Sequence, residues 1–151
     1  MAKLGDVFRI KTKFGFAYFQ FTKRDKLMGS LIRVFPNRFN LQEDEIKDLI
    51  NSQTNFWIFF PVSAAEKQGI IEKILHAPIP DHSSTFPLFR NGIANSATGK
   101  VTNWWFWDGE KEWKVGVISN EQRKLPILAA WNDTLLIKRI EDGWLPEKDP
   151  R

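Results

Sequence analysis

A chain of 151 residues with 42% apolar and 14% aromatic side chains is long enough for one sizeable core and too short for two, so one domain over residues 1–151 is expected. It contains no cysteine, which excludes disulfides, thiolate metal sites and a cysteine nucleophile. It also lacks both a secretion-type amino terminus and an apolar run long enough to span a bilayer, so a cytoplasmic protein is expected. The net charge of +4 is uneven: residues 1–39 hold nine Lys or Arg against two Asp or Glu, leaving the remainder net acidic.

Asp6 to Lys11 predicts a first strand, Phe16 to Thr22 its antiparallel neighbour, and Ser30 to Phe35 a third, with turns at Thr12–Gly15 and Lys23–Lys26. The basic residues of this meander alternate with Phe14, Phe16, Tyr18, Phe19 and Phe21. Such a composition suits a nucleic-acid surface, where cations meet phosphates and rings stack on bases, and it equally suits barrel strands with solvated turn lysines. Asn40 predicts a helix N-cap with Glu43 completing a capping box, and Leu41, Ile46, Leu49 and Ile50 form one buried stripe. The acids of its first turn are explained by capping and the helix dipole.

Phe56 to Val62 predicts a strand buried on both faces, Ser63 to Glu66 a short helix stopping at Gly69, and Ile70 to Leu75 another strand. His76 to Lys100 is loop-like apart from the apolar patch Phe86 to Phe89. Asn103 to Ile118 then predicts a β-hairpin about a tight Asp108-Gly109 turn with positive φ at both central positions. It holds four of the seven tryptophans, so it is expected to supply a large share of the core. Alternation sends Trp105 and Trp107 to one face and Trp104 and Phe106 to the other, so either both faces are covered or one is a binding surface. Thr134 to Ile140 has strand composition, although Asp133 could cap a short helix instead. Trp144 to Pro146 is expected to fold back on the core, with 146–151 a frayed tail. The pattern predicts an α+β, mainly antiparallel β fold: a strongly bent sheet or small barrel-like meander with two or three short flanking helices.

The catalytic inventory is sparse. His76, Asp81 and His82 lack a rigid metal-ligand spacing, Ser83-Ser84-Thr85 beside His82 does not by adjacency make a triad, and the glycines sit singly at turns rather than in a phosphate loop. Neither an enzyme nor a cofactor is expected, and a hydrolytic or metal-dependent site over His76 to Thr85 is the weakest alternative. Recognition fits better, since Trp and Arg dominate interface energetics. The candidate anchors are Trp104, Trp105, Trp107 and Arg90, with Asp108 and Glu110 at the hairpin tip.

Three blocks carry a family resemblance: Gly5-Asp6-Val7-Phe8-Arg9-Ile10 with Phe16-Ala17-Tyr18-Phe19-Gln20, then Trp104-Trp105-Phe106-Trp107-Asp108-Gly109, then Leu125-Pro126 with Arg139-Ile140 and Gly143-Trp144. Together they resemble the immunity protein 26 family of bacterial polymorphic-toxin loci. The resemblance implies a cytoplasmic, non-enzymatic antidote that binds and occludes one cognate protein toxin. The runner-up is a nucleic-acid-binding module, which requires Phe14, Phe16, Tyr18 and Phe19 exposed beside Lys11, Lys13, Lys23 and Arg24.

Overall fold

The computed structural model describes residues 1–151. Alternating apolar residues and short turns make the expected meander: β1 (Asp6–Thr12), β2 (Gly15–Asp25) and β3 (Gly29–Val34) are antiparallel neighbours. β4 (Phe56–Phe59) adds beside β3 and β5 (Ile71–His76) beside β1, giving the order β4-β3-β2-β1-β5. A second sheet has the order β6-β7-β8, built from β6 (Phe89–Asn91), β7 (Trp104–Trp107) and β8 (Glu112–Gly116). Three short helices accompany them: α1 (Glu43–Ile50), α2 (Val62–Lys67) and α3 (Asp133–Glu141). The fold is α+β and mainly antiparallel, as expected.

The five-stranded sheet is covered on both faces. On one, Phe8, Ile10, Phe19, Phe21, Ile32 and Ile58 join Val62 and Ala65 of α2 and Leu136 and Ile140 of α3 in a cluster of 19 buried residues. Trp144 stands edge-on to both Trp131 and Phe56 within it, and those two are tilted to each other, with ring centres 5.0 to 5.8 Å apart. On the other face, Val7, Tyr18 and Phe35 pack under Ile46, Leu49 and Ile50 of α1, and Leu31 and Phe59 pack against Phe89 of the second sheet.

That second face also holds a buried polar pair. Arg33 donates to Gln20 Oε1 (2.8 Å) and to the carbonyls of Ile50 (2.6 Å) and Ser52 (3.3 Å), so it ties the sheet to the carbonyl end of α1, where the helix dipole favours a cation. Gln20 donates in turn to the carbonyls of Gly5 and Ala77. Burial pushes the Arg33 guanidinium down to about 10, which leaves it charged at neutral pH.

The segment after β8 joins the two sheets. Arg90 donates its N–H to Pro126 O and accepts at O from Leu128 N, while Phe59 donates to Ala129 O and accepts from Trp131 N. Residues 126–131 thus run parallel to β6 and then to β4.

Several expectations are corrected, and the choice between strand and helix left open at 134–140 is decided. The hairpin turn is four residues long, Asp108–Lys111, with only Gly109 at positive φ (+98°), because Asp108 Oδ1 accepts the N–H groups of both Glu110 (2.9 Å) and Lys111 (2.8 Å). No hairpin residue enters the 19-residue cluster, so the hairpin is not the main core. Residues 133–141 are helical, since Asn132 caps Leu135 N–H at 2.9 Å and Leu136 and Ile140, four apart, share the buried face. Residues 146–151 are docked rather than frayed: Pro146–Lys148 form a 3-10 turn, buried Asp149 accepts from Trp144 Nε1 (3.3 Å), and Arg123 donates to the carbonyls of Asp149 and Arg151. The first helix also begins later than expected. Gln42 and Glu45 make its capping box, while Asn40, at φ +53°, is drawn onto Phe16, bonding both its N–H and its C=O.

Replacing Arg33 with Ala leaves Ile50 O, Ser52 O and Gln20 Oε1 without a donor in a dry interior. It should destabilise the protein by about 3 kcal/mol or more, measured by urea unfolding. Replacing Gly109 with Val should cost about 1–2 kcal/mol from positive φ alone, and more because a Cβ there lies 2.9 Å from the Phe86 ring.

Candidate interaction surface

Of the anchors read from the sequence, the structure places Arg90 and Trp104 inside. Arg90 is 0% and Trp104 2% exposed, and the guanidinium lies 4.4 Å from the centre of the Trp104 ring. Arg90 donates to the carbonyls of Pro146 (2.8 Å), Arg123 (3.2 Å) and Leu125 (3.4 Å), and burial, aided by the charge of Arg123, pushes it down to about 10. Neither residue can meet a partner. They lock the second sheet onto residues 123–126 and 146 because a buried cation needs every acceptor within reach.

Trp107 is half-buried and also joins the scaffold. It stands edge-on to Phe86 at 5.3 Å and lies 5.7 Å from Phe89 and 6.2 Å from Phe59, so it cements the contact between the sheets. Asp108 is exposed, yet its carboxylate closes the turn, and the N–H groups of Lys111 and Glu110 hold it below the usual carboxylate range. Glu110 is exposed at the tip. Trp105, 39% exposed, is the most exposed of the predicted tryptophans.

Sequence reasoning missed Trp113, which is 40% exposed on β8. A two-residue turn would set Trp113 opposite Trp104, whereas the four-residue turn sets it opposite Phe106, edge-on at 6.3 Å. Counting the backbone donors that Asp108 can satisfy is the signal that would have found it. Ile93 and Val117 are likewise almost fully exposed. Half of the exposed large apolar residues of the chain, namely Ile93, Trp105, Trp113 and Val117, therefore cluster between residues 93 and 117 around the second sheet. Trp113 shares a face with Phe106, and Trp105 looks out of the opposite face beside Asn91 and Lys114.

The basic meander does not offer the stacking platform that nucleic-acid binding requires. Phe19 and Tyr18 are buried, and Phe16 lies under the Arg9 guanidinium at 3.9 Å; only Phe14 is exposed, leaning on Phe39. The histidines are held apart by different partners. His82 bonds Ser83 Oγ (2.8 Å) and Asn51 O (3.2 Å), whereas His76 Nδ1 lies 2.8 Å from buried Asp6. No group of three or more His, Asp or Glu side chains is placed to hold a metal ion.

Asp6 is wholly buried. Burial alone would raise its pKa, but bonds from Lys3 N–H (2.8 Å), His76 and Lys73, with the charge of Lys73, outweigh it and hold the carboxyl below its usual value. The chain matches no family model, no curated protein and no solved structure.

A carboxyl whose pKa is lowered by folding contributes stability above its unfolded value, near 3.8, and loses it as pH falls through the folded value. Replacing Asp6 with Asn should therefore destabilise the protein at pH 7. Its urea midpoint should approach that of the unmodified protein below about pH 4.

Proposed function

We propose that this protein is an antidote that binds and occludes one cognate bacterial protein toxin. The observation that carries the reading is exposed Trp113 on the second sheet, with Val117 exposed at the end of the same hairpin, since a rigidly held tryptophan in water is the kind of side chain from which interface hot spots are made. Trp113 is held edge-on against buried Phe106. The hairpin behind it is fixed by Arg90, Trp104 and the closed turn at Asp108. Docking then orders few side chains at the moment of contact.

The residues carrying the family resemblance fit a division of labour. Phe8, Ile10, Ala17, Phe19, Trp104, Phe106, Ile140 and Trp144 are all buried, so the shared blocks account for the scaffold. Partner choice then rests on residues outside them: Trp113, Val117 and the tip residues Glu110 and Lys111. A standard interface of about 1,600 Å² centred on Trp113 would suffice to cover a toxin's active site. The tip carries both Glu110 and Lys111, so charge there acts on encounter and register more than on net affinity.

A tagged chain used as bait in extract of its source organism should retain one stoichiometric protein. That protein should arrest growth when expressed alone in a host and be harmless when co-expressed with this chain. Trp113→Ala should weaken the complex by about thirtyfold or more, with the unfolding midpoint little changed. A retained protein that is harmless by itself would reject the reading, and full-strength binding by Trp113→Ala would reject the surface.

A further inference from the structure

The opposite face of the second sheet carries a separate site. A cavity of about 390 Å³ opens there, with the exposed ring of Trp105 at its wall and Asn91, Thr102, Asn103, Glu112 and Ile93 around it. Its volume lies within the range of small-molecule sites. We infer that this pocket binds a neutral saccharide, one pyranose ring lying on Trp105 with its hydroxyls bonded to Asn91, Asn103, Thr102 and Glu112.

The hydrogen-bonding inventory supports this. None of those four polar side chains bonds to any other part of the chain. Four other asparagines are engaged, Asn37 donating to Ile140 O, Asn40 accepting from Phe16 N–H, Asn95 from Ala97 N–H and Asn132 from Leu135 N–H, while Asn51, Asn55 and Asn120 keep free side chains elsewhere on the chain. What sets Asn91 and Asn103 apart is that two free amides line one cavity beside an exposed tryptophan. Each amide offers two donors and an acceptor, the threonine hydroxyl one donor and acceptor lone pairs, and the carboxylate acceptors only. That mixture matches the hydroxyls of a sugar, each of which both donates and accepts. The sugar's other property is a face of C–H groups, whose partial positive charge suits the negative face of an indole.

Charge and rigidity narrow the class. Glu112 is the only ionised group lining the pocket, and Lys114 stands on the same face directly across from Trp105. The two offset each other, so neither a strong anion nor a cationic side chain is favoured over a neutral ligand. The pocket is preformed at its base. A side chain at Gly92 would strike Val101 and crowd the Asn103 carbonyl, so the strand carrying Asn91 lies tight against the segment carrying Asn103. Ile93, 94% exposed at the rim, would gain cover from an adjoining sugar unit.

The site is independent of the antidote reading, because Trp113 lies on the other face and no protein partner enters the test. Maltotriose, cellotriose and chitotriose would each be titrated to about 20 mM against the isotope-labelled protein, following the seven indole N–H signals by NMR. At least one saccharide should move the Trp105 signal in a saturable way with a millimolar Kd. Trp105→Ala should abolish binding, Trp105→Tyr should retain it, and Asn103→Ala should weaken it about tenfold. Trp113→Ala should leave it unchanged. Dispersion of the remaining indole signals reports whether each variant is folded. A Trp105 signal unmoved by all three saccharides would overturn the assignment, as would binding that survives in Trp105→Ala or is lost in Trp113→Ala.

Discussion

Two guanidinium groups, those of Arg33 and Arg90, are buried without a carboxylate, and the arrangement of the whole chain answers to them. A charge removed from water is tolerated only where dipoles replace the lost solvent. Each arginine finds them in backbone carbonyls that belong to segments without a strand of their own. Arg33 collects Ile50 and Ser52, and Arg90 collects Arg123, Leu125 and Pro146. Irregular segments are thereby fixed as firmly as strands. Each cation also lies on a ring, Phe35 at 4.6 Å and Trp104 at 4.4 Å, which supplies a soft partner on the side where no acceptor stands.

This arrangement explains how the aromatic residues are divided. Trp131 and Trp144 close the main cluster, and Trp107 joins the two sheets. Trp104 lies against Arg90. With those positions filled, Trp105 and Trp113 have no interior left to occupy, and they emerge on opposite faces of a sheet only three strands wide. The two faces therefore offer distinct chemistry, one a bare indole beside an acidic tip and the other an indole ringed by free amides.

Most of the first sheet was legible in the sequence, because alternation with a period of two and glycine-marked turns specify strands directly. β1, β2 and β3 fall within a few residues of their expected bounds. What local pattern could not supply was the environment of polar groups. Arg33 read as an ordinary basic residue and Arg90 as an interface anchor, and only the placement of distant carbonyls shows that both are interior. The hairpin register turned on a single side chain, since Asp108 bonding two N–H groups lengthened the turn and moved Trp113 two positions along its partner. Residues 134–140 left strand and helix both open because Leu, Ile and Thr suit both periods, and the Asn132 cap together with burial against β1 decided for helix. Of the site, the exposed Trp105 and the tip were anticipated. The interior positions of Arg90 and Trp104 were not, since alternation assigns faces without saying which face is covered.

Residues 126–131, which run beside β6 and then β4, have a consequence for the order in which the molecule matures. A chain emerging amino terminus first can pair β1 with β2 and β2 with β3 early, because those contacts are local. The outer edges of β4 and β6 stay unpaired until about 130 residues have been synthesised, since their partners lie in that late stretch. Both edges carry aromatic side chains, so each is a sticky border from the synthesis of its own strand until that late stretch emerges.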